Sequence, residues 1–133
     1  MIGIVLTGHG SFATGLAETA RLLAGDIDRF VAVEFPPGMS AEELEARIGK
    51  ALDSLPDCEH IVILTDLPGG TPFRAAAALS LSDDRLRVLS GTNVPLLLQL
   101  ALSRTEDACV DELIANALAE ARQAVMVFEI PKS

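Results

Sequence analysis

Two short stretches hold the residues able to do chemistry. The first, Leu6-Thr7-Gly8-His9-Gly10, sets one histidine between glycines at the end of an apolar run that begins at Ile2. The second, Thr65-Asp66-Leu67-Pro68-Gly69-Gly70-Thr71-Pro72, follows the apolar run Ile61-Val62-Ile63-Leu64 and puts a carboxylate ahead of a glycine-rich turn. A carboxylate that accepts a hydrogen bond from one imidazole nitrogen fixes the tautomer. The other nitrogen is then free to act as nucleophile, general base or metal ligand. The neighbouring groups help to choose. Gly70 and Thr71 stand at the start of a helix, where backbone N–H groups and the helix dipole make an anion site. Thr71 can add its hydroxyl. A nucleophilic imidazole beside an anion cradle fits a transferable phosphoryl group. The expected site therefore has His9 as covalent acceptor, Asp66 orienting it, and Gly70 and Thr71 binding the phosphoryl oxygens.

Plainer readings compete: Asp66 as a turn cap, Gly69-Gly70 as chain geometry, His9 as a solvated turn residue. Other chemistries fit less well. No third His, Cys or carboxylate falls at ligand spacing near His9, so neither metal nor cofactor is expected. There is no Gly-x-Ser-x-Gly elbow. The turn lacks the lysine of a phosphate loop, and Gly-x-Gly-x-x-Gly is absent. A histidine phosphatase would want arginine immediately before the nucleophile, where Gly8 stands. Cys58 and Cys109 share no ligand spacing and are expected reduced. His60 opens a strand and is expected at the surface.

Positioning these turns needs strands that deliver them to one place. The pattern gives strands over 2–9, 29–35, 60–65 and 85–89. Helices start near Ser11 or Thr14, at Ser40, at Thr71 as N-cap with Pro72 at the first helical position, at Asn93 and at Val110. Ser40 and Glu43 form a capping box. Leu16, Ala17, Ala20, Leu23 and Ala24 recur at helical spacing in the first helix, and the fourth carries Leu96, Leu97, Leu98, Leu100 and Leu102. The end, 125–130, is strand-like. Strands alternating with helices imply a doubly wound α/β fold: a four-stranded parallel sheet with helices on both faces, most economically in order 2-1-3-4. Ligands bind such sheets where the strand order reverses, here beyond the carboxyl ends of the first and third strands. His9 and Asp66 leave those two strands.

The chain has 133 residues and reads as one domain over 1–133. It is half hydrophobic, with no Trp or Tyr and five Phe, so its core is aliphatic. A net charge of −9 argues against nucleic-acid backbones and anionic membranes as partners. It suits docking partners with basic faces. The N-terminus lacks signal-peptide features, and no apolar run reaches the roughly 20 residues of a membrane span. A cytoplasmic protein is expected.

The sequence resembles the mannose-type enzyme IIA domain of the bacterial phosphoenolpyruvate-dependent sugar phosphotransferase system (PTS). The resemblance rests on Leu6-Thr7-Gly8-His9-Gly10, Thr65-Asp66-Leu67-Pro68-Gly69-Gly70-Thr71-Pro72-Phe73 and Gly91-Thr92-Asn93-Val94-Pro95-Leu96-Leu97-Leu98, in this order. It implies that His9 takes a phosphoryl group from the phosphocarrier HPr, as a tele-phosphohistidine, and passes it to a IIB component of a sugar transporter. It implies that Asp66 holds the imidazole and that Thr71 fills the Ser/Thr position of the turn. It further implies a homodimer that exchanges a C-terminal strand, for which 125–130 is the candidate. Thr-Gly-His-Gly, Thr-Asp-Leu-x-Gly-Gly-Thr-Pro-Phe-Arg and Gly-Thr-Asn look closest to the N-acetylgalactosamine/galactosamine branch. Phe12 and Pro68 stand where mannose-branch members carry an aromatic after the His and a Trp or Phe before Gly-Gly. Because the sequence stops at Pro131-Lys132-Ser133, the IIB partner is expected on a separate chain. The alternatives are the phosphocarrier subunit of dihydroxyacetone kinase, against which the Gly-Gly-Thr-Pro turn speaks, and a regulatory phosphohistidine module.

Overall fold

The structure, a computed structural model, describes residues 1–132. Its four strands are β1 (Ile2–His9), β2 (Phe30–Phe35), β3 (His60–Leu64) and β4 (Leu86–Leu89). They form one sheet in the order β2-β1-β3-β4, and every pairing is parallel. Five helices alternate with and follow them: α1 (Phe12–Ala24), α2 (Ala41–Asp53), α3 (Thr71–Ser80), α4 (Val94–Ser103) and α5 (Val110–Gln123). The strand order expected from the sequence is the one observed.

Strand β1 is buried along its whole length until His9, which is exposed. That pattern follows from its central place, with helices covering both faces. Ile2, Ile4 and Leu6 point into a core shared with α1, α4 and α5. Val5 points into a second core made with α2 and α3. Burying one such side chain fully is worth roughly 1.5–3 kcal/mol, so the two cores hold β1, and with it His9, in place. Alanines let the helices approach closely: Ala13, Ala17 and Ala20 of α1, and Ala75 and Ala76 of α3, are all buried.

The local signals fare unevenly. Ser40 caps α2 through a bond accepted from the Glu43 N–H, and Asn93 caps α4 through one accepted from the Leu96 N–H. Ser11 precedes α1 without a side-chain cap, and Thr14 lies inside the helix. Helix α3 starts one residue earlier than expected, with Gly70 as N-cap and Thr71 as the first helical residue. Leu23, whose spacing puts it with the apolar residues of α1, is exposed. The alanine stripe turns α1 so that Ala13, Ala17 and Ala20 meet the sheet, and Leu23 lies off that line. His60, expected at the surface, is half-buried, with Nδ1 buried and without a partner among the described residues. The segment 125–130 forms no strand within this chain. Among the described residues no helix is long and apolar enough to cross a membrane.

Candidate active site

Strand β1 ends at His9 and strand β3 stops just short of Asp66, and the two strands are neighbours in the sheet. Two turns 57 residues apart in sequence thus meet at the reversal point of the strand order. Asp66 Oδ2 lies 2.8 Å from His9 Nδ1 and accepts a further bond from the His9 backbone N–H at 2.9 Å. Its other oxygen, Oδ1, accepts from the Leu67 N–H at 2.8 Å. Burial pushes the Asp66 carboxyl up, but the bonds from the His9 backbone, the His9 ring and Leu67 outweigh it and hold the group below its ordinary value of 3.8. An ionised carboxylate can only accept, so Nδ1 carries a proton, and in the neutral ring Nε2 keeps its lone pair. The Asp66 side chain is 14% exposed and that of His9 46%. The carboxylate is sheltered while the imidazole faces outward.

The turn after Asp66 approaches the imidazole from the other side. A Cβ built on Gly70 would lie 2.8 Å from His9 Cε1, so only glycine admits the ring in this position. The Gly70 N–H donates to the Leu67 carbonyl at 3.1 Å and closes the turn, which Gly69 enters with φ +78°. The sequence expectation gave the Gly70 amide to a phosphoryl oxygen. Here that amide already has an acceptor, and Gly70 meets His9 through its missing side chain. Thr71 follows as the first residue of α3, whose opening turn has N–H groups without partners inside the helix. Among the described residues no cluster of three His, Cys, Asp or Glu side chains is arranged to hold a metal ion.

Other residues at the site escaped the sequence reading. The Phe35 ring meets the His9 ring edge to face, with centroids 5.8 Å apart at 68°. Phe35 also accepts from the Gly10 N–H at 2.8 Å. The available signal was that Phe35 ends β2, which adjoins β1 in any 2-1-3-4 sheet. Phe12 sits beside the carboxylate: a Cβ on Gly8 would come within 2.5 Å of Phe12 Cδ1 and 3.0 Å of Asp66 Cγ. Buried Thr65 and Thr92 fasten the Asp66 turn to the exit of β4. Thr65 Oγ1 donates to the Leu89 carbonyl at 2.7 Å, and Thr92 Oγ1 to the Thr65 carbonyl at 2.8 Å. The Gly91 N–H then donates to the Asp66 carbonyl at 2.8 Å. No sequence spacing announces these bonds. A recess of about 290 Å³ beside His9 is lined by Phe35, Pro36, Pro37 and Met39.

A family model described as EIIA-man, the PTS system fructose IIA component, matches residues 3–118. The fructose-specific EIIA component of the PTS from Bacillus subtilis strain 168 is 32% identical over 96% of this chain and 86% of its own length. The mannose-specific EIIAB component of Escherichia coli K12 is 33% identical over 93% of this chain, and the match spans 38% of that longer protein. The crystal structure of the phosphotransferase system component EIIA from Streptococcus agalactiae superposes with a TM-score of 0.87 at 33% identity, covering 96% of this chain and 97% of that one.

Two outcomes test the geometry. Gly70→Ala forces the His9 ring away from Cβ, and is expected to move the His9 Hε1 resonance while leaving the melting temperature within a few degrees. An unmoved resonance would refute the steric role. Because folding lowers the Asp66 pKa, the ionised group adds stability above pH 3.8, which is lost as pH falls through the folded value. In thermal melts from about pH 7 to about pH 2, the gap between the native chain and Asp66→Asn should close only at the acid end. A gap that stays constant would show that the carboxylate is not held low.

Proposed function

The chain belongs to the EIIA-man family of PTS sugar IIA components, and on that footing we propose that it is a phosphoryl carrier with His9 as covalent acceptor. The observation that carries this reading is the single pairing of His9 Nδ1 with Asp66 Oδ2 at 2.8 Å. It leaves Nε2 as an exposed nucleophile at the reversal point of the sheet.

Transfer follows from that pairing. Nε2 donates its lone pair to the phosphorus of the donor's phosphoryl group, and an N–P bond forms as the bond to the donor breaks. The ring gains positive charge, and its Nδ1 proton stays in the bond to Asp66. The adjacent carboxylate offsets that charge at short range. The phosphoryl oxygens need donors as charge develops, and the Thr71 amide and hydroxyl at the mouth of α3 supply two. Gly70 contributes by letting the ring lie against the turn. The second half-reaction runs the same steps in reverse toward the acceptor. Neither metal nor cofactor enters.

The donor in this reading is phospho-HPr, and the acceptor is a IIB component of a mannose-type sugar transporter; both exchanges take place in the cytoplasm. The relatives bear fructose- and mannose-specific names. The motifs around His9 and Asp66 favour the N-acetylgalactosamine/galactosamine branch. The chain also pairs with a second copy of itself through 125–130. Val125, Met126, Val127, Phe128 and Ile130 are each 72–82% exposed, a run of apolar side chains that water disfavours.

The carrier assignment is tested by incubation with phosphoenolpyruvate, enzyme I and HPr, followed by intact-mass and acid-lability analysis. One acid-labile phosphate is expected on the native chain, none on His9→Ala, and slower uptake on Asp66→Ala. Phosphate uptake by His9→Ala would overturn the assignment. Sedimentation of the full chain against a chain ending at Gln123 tests the pairing: the full chain should sediment as a dimer and the shortened one as a monomer. Equal sedimentation of the two would reject it.

A further inference from the structure

A groove lies away from His9, along the outer edge of the sheet. It has a volume of about 430 Å³, and residues 31–34 of β2 form its floor. Among the described residues strand β2 pairs only with β1, so its outer side has no strand partner there. The ladder shows which backbone groups face out. The Ile4 N–H donates to the Arg29 carbonyl at 3.0 Å, and the Gly10 N–H to the Phe35 carbonyl at 2.8 Å. In a parallel ladder these groups alternate in direction. Val31 and Val33 therefore turn their N–H and C=O groups toward β1, while Ala32 and Glu34 turn theirs toward the groove.

The groove walls differ in character. Helix α1 contributes Thr14, and helix α2 contributes Arg47 and Lys50. Neither cation is in an ion pair among the described residues, whereas Arg29, Arg85 and Arg87 are. Helix α2 divides its charges between its flanks: Glu42 and Glu45 line the side toward Leu79 of α3, and Arg47 and Lys50 the side toward the β2 edge. The one carboxylate in the groove, Glu34, accepts a bond at 3.0 Å from Thr14 Oγ1 at the α1 wall. In a chain of net charge −9 this open sheet edge is a local inversion of sign.

We propose that the β2 edge binds an extended acidic segment of a partner protein as an added strand. Backbone pairing to Ala32 and Glu34 supplies the attachment. Carboxylates on alternate residues, all on one face of the added strand, meet Arg47 and Lys50 and supply the selectivity. The bound segment would run beside Phe35, whose ring touches that of His9, so the groove opens next to the site. The proposal does not rest on the carrier reading, because it uses none of the residues assigned there.

The test is a two-dimensional ¹⁵N–¹H titration of the full chain with a blocked peptide of about eight residues alternating Glu and Val. Shift changes are expected at the amides of 30–34, Arg47 and Lys50. Binding should weaken at least about tenfold in Arg47→Glu/Lys50→Glu, whose changes lie on the helix surface and spare the sheet. Ala32→Pro removes one outward donor and leaves the ladder to β1 intact, so it should also abolish binding in a spectrum otherwise folded. A matched Lys–Val peptide should not bind. Absence of shifts at millimolar peptide, equal binding of the Lys–Val peptide, or indifference to the charge reversal would each overturn the proposal. So would concentration-dependent broadening of the same amides without peptide, which would make the edge a contact between copies of this chain. Phosphate uptake on His9, measured on the same variants, reports separately on the carrier reading.

Discussion

One carboxylate joins the two halves of the site. Asp66 accepts from the His9 backbone, the His9 ring and the Leu67 backbone. Each bond constrains something different. The backbone bond fixes where β1 ends, the ring bond fixes which nitrogen is free, and the Leu67 bond fixes how the following turn begins. Because all three donors favour the ionised acceptor, the group stays charged although its side chain is only 14% exposed. The charged state in turn dictates the histidine tautomer. An unpaired buried charge would be costly, so the position of the imidazole and its tautomer are set by one satisfied group.

That arrangement depends on small residues where backbone and side chains crowd. Gly70 leaves room for the imidazole, and Gly8 leaves room for Phe12 beside the carboxylate. The threonines play the opposite part, filling buried space while tying strand ends together. Thr65 and Thr92 each add a hydroxyl bond to a carbonyl, of Leu89 and Thr65, that already accepts their own backbone N–H. The Asp66 turn is therefore braced from β4 as well as from β1. Such bracing suits a site in which a ring must present one nitrogen repeatedly in the same direction.

The two cores divide the labour. The larger, with α1, α4 and α5, backs one face of the sheet, and the smaller, with α2 and α3, backs the other. Helix α3 meets both the core and the site, since its buried alanines seat it on the sheet while its first turn opens beside His9. Helix α2 is capped by Ser40 and anchored by Leu44, Ile48 and Leu52, which frees its outer flanks to carry charge. At the edges of the sheet protection is incomplete. Among the described residues strand β2 has an open side, and the apolar run 125–130 that follows α5 is exposed. Open edges and exposed apolar runs are where association occurs.

The sequence by itself determined the elements and pointed to His9 and Asp66 as neighbours. Unbroken apolar runs ending in Gly-His-Gly and Asp-Leu-Pro-Gly-Gly mark strands delivering side chains to turns, and alternation of strands with helices leaves few sheet orders to consider. Capping chemistry is local, so Ser40 and Asn93 were legible from a few residues each. What lay beyond the sequence depends on distances between distant segments. That Gly70 serves by its missing Cβ, with its amide bonded to Leu67, follows only when the His9 ring is seen lying against it. Phe35 joins the site because β2 adjoins β1 in register. Leu23 points to water because the alanine stripe, packing more closely, sets the rotation of α1. Periodicity specifies which residues share a face, but only close packing decides how that face is turned and which backbone groups are left to meet a ligand.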